Sequence, residues 1–250
     1  MMNVKTKTDY PFTIQPEDVD FLQRATMVSL IGYILDVGGL DADTKGFGVK
    51  KLFAENHSWV LSRMAIDIYH LPKKHEKIEI TTWVNEYGRM LTTRNFTVAD
   101  EKQICVLAAV TQWAMIDLSS RQPLNLSGVA EYDKYLCKEP SPIEHPRKVP
   151  QIIPTQTAIH KVVNDDIDFN KHVNSLRYIE LMIDMLPTEI LSKTNPIHIE
   201  INFLRESVYG DTLTIGYEQR DNKSIFEIKN IDNVVCRASF EWKSVENQLN

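Results

Sequence analysis

Residues 64–80 read MAIDIYHLPKKHEKIEI, and residues 199–215 read IEINFLRESVYGDTLTI. Each segment alternates apolar and polar residues, breaks at a polar turn and then alternates again. This pattern is typical of two antiparallel strands joined by a short connection. The identity between the segments is low, but their matching order and spacing favour two tandem copies of one structural unit.

Each copy is predicted to contain one helix followed by four strands. Helical spacing of apolar residues predicts helices over Val19–Leu40, with Gly38 and Gly39 as a stop signal, and over Val173–Leu186. The strand-like runs are His57–Tyr69, Lys77–Tyr87, Met90–Ala99 and Gln103–Asp117 in the first copy, and Ile197–Arg205, Thr212–Gln219, Ser224–Lys229 and Val234–Trp242 in the second. We therefore predict an α+β fold of two tandem hotdog domains, each an antiparallel sheet wrapped around a long central helix.

Prolines indicate the boundary between the two copies. Five of the eleven prolines lie between Pro140 and Pro154, a density that prevents a helix or a central strand and is typical of an extended linker. The predicted organisation is an N-terminal domain over residues 1–138, a proline-rich linker over 139–155 and a C-terminal domain over 156–250.

Composition excludes several classes of protein. Hydrophobic residues make up 43% of the 250 residues and charged residues 25%, which is ordinary for a globular chain and excludes a disordered protein or a fibre. A net charge of −6 without basic tracts argues against nucleic-acid binding. No apolar run is long enough for a membrane span or a secretory signal. Three separated cysteines, Cys105, Cys137 and Cys236, form no disulfide framework and suggest a reducing cytoplasm.

The segment that points to chemistry is DIDFNKHVNSLRYIE, residues 166–180. Asp168, Asn170, His172 and Asn174 alternate with other residues, so an extended backbone places these four polar side chains on one side. The predicted helix follows at once. Polar groups at a helix N-terminus are well placed to stabilise developing negative charge, such as the oxyanion of a reacting carbonyl.

The same segment allows other interpretations. Asp, Asn and Ser before a helix are often simple caps. A calcium loop fails because Lys171 stands where glycine is needed and Arg177 where glutamate is needed. A metal site around His172 lacks a second histidine at helical spacing. Because the nucleotide-binding glycine motifs are absent as well, we predict no metal and no cofactor.

The segment resembles a motif of plant and bacterial acyl-acyl carrier protein thioesterases, close to D-x-D-x-N-x-H-V-N-N-x-x-Y. Only Ser175 departs from it, at the second Asn of the pair. IEINFLRES, residues 199–207, resembles the family strand that ends in Tyr-Arg-Arg-Glu-Cys, with Glu206 at the glutamate and Ser207 at the cysteine. A weaker resemblance in the first half includes Trp83, Arg89 and Arg94.

The resemblance implies hydrolysis of acyl-acyl carrier protein thioesters to free fatty acid and holo-carrier protein, which ends fatty acid synthesis. The implied catalytic residues are Asp168, Asn170, His172 and Glu206. Either Glu206 or His172 would act as the base for water, with Asn170 orienting the water. Asp168 would fix the histidine tautomer or attack directly. Ser207 replaces the family cysteine, so a thiolate nucleophile is excluded and activated water is favoured.

The same resemblance places acyl-chain binding in the N-terminal domain and the catalytic residues in the C-terminal domain. The implied substrate-binding residues are Met27, Leu30, Ile31, Met64, Ile66 and Asn174. The partner would be an acidic carrier protein with a phosphopantetheine-linked acyl chain, so we expect a local basic face. Its candidates are Lys50, Lys51, Arg89, Arg94, Lys161, Lys171 and Arg177. A homodimer is a further expectation.

Three other functions stay open at this point. The first is an acyl-CoA thioesterase of the same fold. The second is a hotdog lyase that hydrates or dehydrates an acyl chain, although Asn170 and Glu206 beside the histidine fit hydrolysis better. The third is an acyl-binding protein without catalysis, which would be indifferent to His172→Ala.

Overall fold

The computed structural model describes residues 5–244, and the chain divides into two compact units. The N-terminal unit ends at Pro146 and the C-terminal unit begins at Arg147. No helix in the described part of the chain combines the length and the apolar character that crossing a membrane requires.

The N-terminal unit is a five-stranded antiparallel sheet with one long helix. Its strands lie in the order β1-β3-β4-β5-β2, so the sequence neighbours β3, β4 and β5 form a meander. The elements are β1 (Lys7–Thr13), α1 (Met27–Thr44), α2 (Val49–Ala54), β2 (His57–Ile68), β3 (Lys77–Tyr87), β4 (Thr92–Asp100), β5 (Cys105–Asp117) and α3 (Ala130–Asp133).

The C-terminal unit repeats this topology. Its strands lie in the order β6-β8-β9-β10-β7, and every pair is antiparallel. The elements are β6 (Gln156–Lys161), α4 (Ser175–Ile183), α5 (Thr188–Lys193), β7 (Thr194–Phe203), β8 (Thr212–Arg220), β9 (Lys223–Asn230) and β10 (Asn233–Ser244). The predicted pair of tandem hotdog domains is therefore confirmed.

The prediction of four strands in each copy is wrong, because the described part of each unit has five. The missing strands, β1 and β6, each pair on one side only within their units. Strands at such a position lack the strong apolar alternation of central strands, and they tolerate proline, which β1 carries as Pro11. The eight predicted strands are all present, with ends that differ by a few residues.

The first helix differs from its prediction at both ends. It begins at Met27 because Thr26 caps it, with its hydroxyl accepting from the Ser29 amide at 3.0 Å. Gly38 and Gly39 do not stop the helix, which continues to Thr44. A side-chain carbon added to Gly38 would lie 3.2 Å from the Phe96 ring. Gly38 thus allows α1 to lie close to β4, so packing explains this glycine.

The central helix of the C-terminal unit is shorter than predicted. It covers Ser175–Ile183 and not Val173–Leu186. Val173 instead pairs with Ile167 in a turn before the helix, and Pro187 starts the separate helix α5. The apolar face of α4 is buried, and the Tyr178 ring lies against the Phe203 ring of β7 with centroids 6.3 Å apart.

The proline-rich segment 139–155 contains no helix or strand, as its composition predicts. Its first part bonds to the N-terminal unit, where the Trp83 indole donates to the Glu139 carbonyl at 3.2 Å. Its later part bonds to the C-terminal unit, where the Asn202 side chain donates to the Arg147 carbonyl at 2.9 Å and accepts from the Val149 amide at 2.8 Å. These contacts hold the segment against structured elements.

Candidate active site

A tight turn over residues 166–174, here called the C-terminal turn, carries Asp168, Asn170 and His172. The Asp168 amide donates to the His172 carbonyl at 2.8 Å, and the Lys171 amide donates to the Asp168 carbonyl at 3.0 Å. Lys171 has a left-handed φ of 66°, which lets the chain reverse direction within these few residues. The turn therefore presents Asn170 and His172 on a fixed backbone directly before α4.

The turn meets the segment after β7, which brings Glu206 to His172. The Val173 amide donates to the Ser207 carbonyl at 2.8 Å, and a single antiparallel bridge pairs His172 with Val208. As a result, His172 Nε2 lies 3.4 Å from Glu206 Oε2, with the side chains 26% and 36% exposed. Two side chains that are distant in sequence thus lie together at a place that solvent can reach.

The Asp168 carboxylate supports the turn and does not contact the histidine ring. Its Oδ1 accepts from the amides of Asn170 at 2.8 Å and His172 at 3.2 Å, and its Oδ2 lies 3.5 Å from Asn170 Nδ2. The expectation that Asp168 fixes the tautomer of His172 is therefore wrong. Asp168 instead holds the backbone on which Asn170 and His172 stand.

Asn174 is the cap of α4. Its side chain accepts from the Leu176 amide at 2.9 Å, and its carbonyl accepts from the Arg177 amide at 3.0 Å. These two amides of the helix N-terminus are therefore occupied by the chain itself. The Leu176 and Arg177 amides therefore cannot donate to an oxyanion, contrary to the expectation for the helix N-terminus. On the turn itself, the side chains of His172 and Asn170 are the donors that we consider.

Ser207, at the family's cysteine position, is buried. It is only 1% exposed, and Tyr178 on α4 is buried as well. Burial raises the pKa of Tyr178 to about 12. Ser207 thus faces the packed interior under α4, which agrees with the exclusion of a nucleophile at this position.

A buried acid, Asp166, anchors the start of the turn. Its Oδ2 lies 2.7 Å from His160 Nε2, and its Oδ1 accepts from Arg177 Nε at 2.6 Å. Burial alone would raise the pKa of Asp166, but hydrogen bonds from the Val163 amide, His160 and Arg177 outweigh burial and lower it. Sequence analysis assigned Asp166 no role, although it occupies the first position of the motif.

The five predicted wall residues of the acyl channel are all buried. They lie on α1 and β2: Met27, Leu30, Ile31, Met64 and Ile66. Residues of a channel wall and residues of an ordinary core are both buried. The role of these five residues in substrate binding therefore stays a prediction.

The candidate residues for a basic face divide into three groups. Arg94 is wrong, because it is buried and its Nη1 lies 2.7 Å from Asp41 Oδ2. Lys51 and Arg177 are paired with Glu131 at 2.9 Å and Glu180 at 2.8 Å. The remaining candidates are exposed: Lys50, Arg89, Lys161 and Lys171. Within residues 5–244, no group of three His, Cys, Asp or Glu side chains is arranged to hold a metal ion.

Comparisons with known families identify both halves of the chain. Residues 5–129 match the acyl-ACP thioesterase N-terminal domain, and residues 154–244 match the acyl-ACP thioesterase C-terminal domain. The oleoyl-acyl carrier protein thioesterase of Coriandrum sativum is 27% identical over 220 residues, which cover 81% of this chain and 60% of the relative. The matches span between 41% and 61% of the length of the curated relatives, so the chain corresponds to only part of them.

Solved structures agree with these matches. An acyl-ACP thioesterase from Bacteroides thetaiotaomicron is 37% identical, with a TM-score of 0.87 over 95% of this chain and 98% of that one. The 12:0-ACP thioesterase from Umbellularia californica has a TM-score of 0.88 over 96% of this chain and 98% of that one. At 15% identity, the second likeness concerns the fold alone.

Proposed function

Because this chain belongs to the acyl-ACP thioesterase family, we propose that it hydrolyses acyl-acyl carrier protein thioesters to free fatty acid and holo-carrier protein. This reaction would end fatty acid synthesis. The observation that carries the proposal is the contact of His172 with Glu206, 3.4 Å apart and open to solvent, at the turn that also carries Asn170. A base, a second proton carrier and an amide at one place are what attack by water on a thioester requires.

In the proposed mechanism Glu206 accepts a proton from water while the water oxygen bonds to the thioester carbonyl carbon. His172 and the Asn170 amide donate hydrogen bonds to the oxyanion that forms, and the Leu176 and Arg177 amides of α4 do not take part because Asn174 already accepts from them. When the carbon–sulfur bond breaks, the proton returns through the His172–Glu206 pair to the leaving sulfur. The products are a carboxylic acid and the carrier thiol, so atoms and charges balance.

The same geometry disfavours direct attack by Asp168. Asp168 accepts from two backbone amides through Oδ1, at 2.8 and 3.2 Å, and its Oδ2 lies 3.5 Å from Asn170 Nδ2. Hydrogen bonds of this kind stabilise the carboxylate and reduce its reactivity. We therefore assign Asp168 to the support of the turn and water to the attack on the carbonyl.

The proposed partner is the carrier protein with its phosphopantetheine arm. Lys171 supports this choice, because it is exposed at the tip of the C-terminal turn, directly between Asn170 and His172. A cation at this position fits an acidic partner that delivers its arm to the site. A cytoplasmic location is proposed as well, supported by the free state of all three cysteines. A homodimer stays a prediction.

The experiment that tests this function compares one acyl chain on two carriers. The purified chain should release fatty acid from acyl-carrier protein with a higher kcat/KM than from acyl-CoA. Lys171→Glu should reduce kcat/KM for the protein-bound substrate by about tenfold and leave that for acyl-CoA within about twofold. Equal rates on both thioesters would favour an acyl-CoA thioesterase, and binding of acyl chains without release would indicate an acyl-binding protein.

A further inference from the structure

The C-terminal turn is fixed at both ends by one residue, Asp166. Its carbonyl accepts from the Asn174 amide at 2.8 Å, which closes the turn at the point where α4 begins. The Asp166 side chain is 1% exposed. Its carboxylate accepts hydrogen bonds from the Val163 amide at 2.7 Å and from the Arg177 guanidinium at 2.6 Å. Asp166 thus links the segment after β6, through Val163, to the helix α4, through Arg177.

The surroundings of Asp166 make its ionised form necessary. His160 on β6 contributes a third contact, with Nε2 at 2.7 Å from Asp166 Oδ2. Arg177 in turn bonds through Nη1 to Glu180 at 2.8 Å, so its guanidinium is held in a fixed plane. A neutral side chain of the same size would keep some of these contacts, but it would leave the Arg177 guanidinium without its buried carboxylate. Loss of one partner in such a buried network is strongly destabilising locally.

From these contacts we propose that Asp166 is a positioning residue for the catalytic turn, acting through Arg177 and His160. This inference rests on the function proposed above. Asp166 makes no contact with the reacting groups among the contacts of the described residues, and it acts by holding the backbone that carries Asn170 and His172. Displacing a reacting group by about 1 Å can cost about 10²-fold in rate, so a fixed turn matters for kcat more than for binding.

The chain offers a matched control in its N-terminal half. A turn over residues 18–26, here called the N-terminal turn, contains Asp18 at the position of Asp166. The Asp18 carbonyl accepts from the Thr26 amide at 2.9 Å, and its carboxylate accepts from the Gln15 amide at 2.7 Å and the Tyr33 hydroxyl at 2.5 Å. Asp18→Asn therefore disturbs an equivalent anchor in a turn that carries none of the proposed catalytic residues.

The test combines kinetics with hydrogen exchange of Asp166→Asn and Asp18→Asn. Asp166→Asn should lower kcat on acyl-carrier protein by about 10- to 100-fold with KM within about threefold, and it should speed amide exchange at Asn170 and His172. Asp18→Asn should speed exchange in the N-terminal turn only and keep kcat within about twofold. Equal kcat losses in the two variants, after correction for the folded fraction, would overturn the proposal.

A second variant, Arg177→Met, tests the same proposal if Asp166→Asn does not fold. Arg177→Met removes the partly exposed partner and should lower kcat in the same way. The double variant should lose little more than either single one, because both break the same contact. Fully additive losses, or a normal kcat in Arg177→Met, would contradict the proposal. If the wild-type chain itself releases no fatty acid, the proposed function fails, and the exchange measurements still decide whether Asp166 holds the turn.

Discussion

The N-terminal turn and the C-terminal turn share one backbone and differ in their side chains. The Asp20 amide donates to the Arg24 carbonyl at 2.8 Å, as the Asp168 amide does to the His172 carbonyl. Gln23 and Lys171, at matching positions, both have a left-handed φ, of 61° and 66°. The shared backbone shows that the fold requires this turn in both units.

The side chains that carry the proposed chemistry are present only at the C-terminal turn and at the segment after β7 that contacts it. Asp20 matches Asp168, and its Oδ1 likewise accepts two amides of its own turn, at 2.8 and 3.0 Å. The Ala25 amide donates to the Pro72 carbonyl as Val173 donates to Ser207, so the residues before these carbonyls also match. The pairs that differ are Leu22 and Asn170, Arg24 and His172, and Leu71 and Glu206.

This difference separates the residues that build the turn from the residues that act. Each turn has an aspartate at this position, Asp20 in the N-terminal turn and Asp168 in the C-terminal turn. An aspartate here therefore belongs to the structure of the turn. Asn170 and His172 occur in the C-terminal turn alone, and Glu206 occurs only in the segment after β7 that bridges to it, so the fold does not require these three residues. In the N-terminal turn, Arg24 instead forms an ion pair with Asp20 at 2.8 Å. The comparison therefore supports the assignment of Asp168 to support and of the other three residues to catalysis.

The largest expected effect comes from replacing the histidine and its counterpart. His172→Ala removes a group that carries the proton, so kcat/KM on acyl-carrier protein should fall by about 10²- to 10⁴-fold. Arg24→Ala changes the matching position and should leave kcat/KM within about twofold. Steady-state kinetics with circular dichroism as the folding control measure both. Equal losses in the two variants would remove the distinction between the turns.

A smaller effect is expected from exchanging the residues at positions 22 and 170. Asn170→Leu gives the C-terminal turn the residue of the N-terminal turn and removes the amide that donates to the oxyanion, so kcat should fall by about 10²-fold. Leu22→Asn, the reverse exchange, should change kcat by less than about twofold. Release of fatty acid over time is the measurement, and unchanged kinetics of Asn170→Leu would remove Asn170 from the mechanism.

The last expected effect concerns stability in acid. Burial would raise the pKa of Asp41 in the N-terminal unit, but Arg94 and Lys45 outweigh burial and hold it below its usual value. The pKa of Asp166 is lowered as well. A carboxylate whose pKa is lower in the folded state contributes stability above its unfolded pKa of about 3.9 and loses it as pH falls through the folded value.

Urea unfolding between pH 7 and pH 2 measures this dependence. The free energy of unfolding should fall below about pH 4, and Asp41→Asn and Asp166→Asn should each make the fall shallower. The control is Asp43→Asn, because Asp43 is exposed beside the end of α1. The wild-type chain and the three variants could show the same dependence of the unfolding free energy on pH. That result would mean that neither buried carboxylate contributes to acid sensitivity.

Most of the fold follows from the sequence because buried strands alternate clearly. Eight strands and the duplication are readable from apolar patterns, whereas β1 and β6 are not, since neither strand has a buried residue. Helix ends depend on local contacts such as the Thr26 cap and the Gly38 packing on Phe96, which periodicity does not reveal. The sequence therefore predicts which elements exist better than where they end.

The site is predicted in a similar, partial way. The motif at residues 166–180 places the turn, but the contact of His172 with Glu206 depends on the bridge to Val208, which is a tertiary feature. One signal was readable and missed. Residues 18–21 read DVDF and residues 166–169 read DIDF, and this repeat indicates that both aspartates serve the turn.

The central claim is that the pair of His172 and Glu206 activates water against a carrier-bound thioester. Glu206→Gln tests it most directly, because it removes the base and keeps the size of the side chain. The account predicts that release of free fatty acid from acyl-carrier protein falls by at least about 10²-fold, with an unchanged melting temperature. A folded Glu206→Gln variant that turns over the same substrate at the wild-type rate would contradict it.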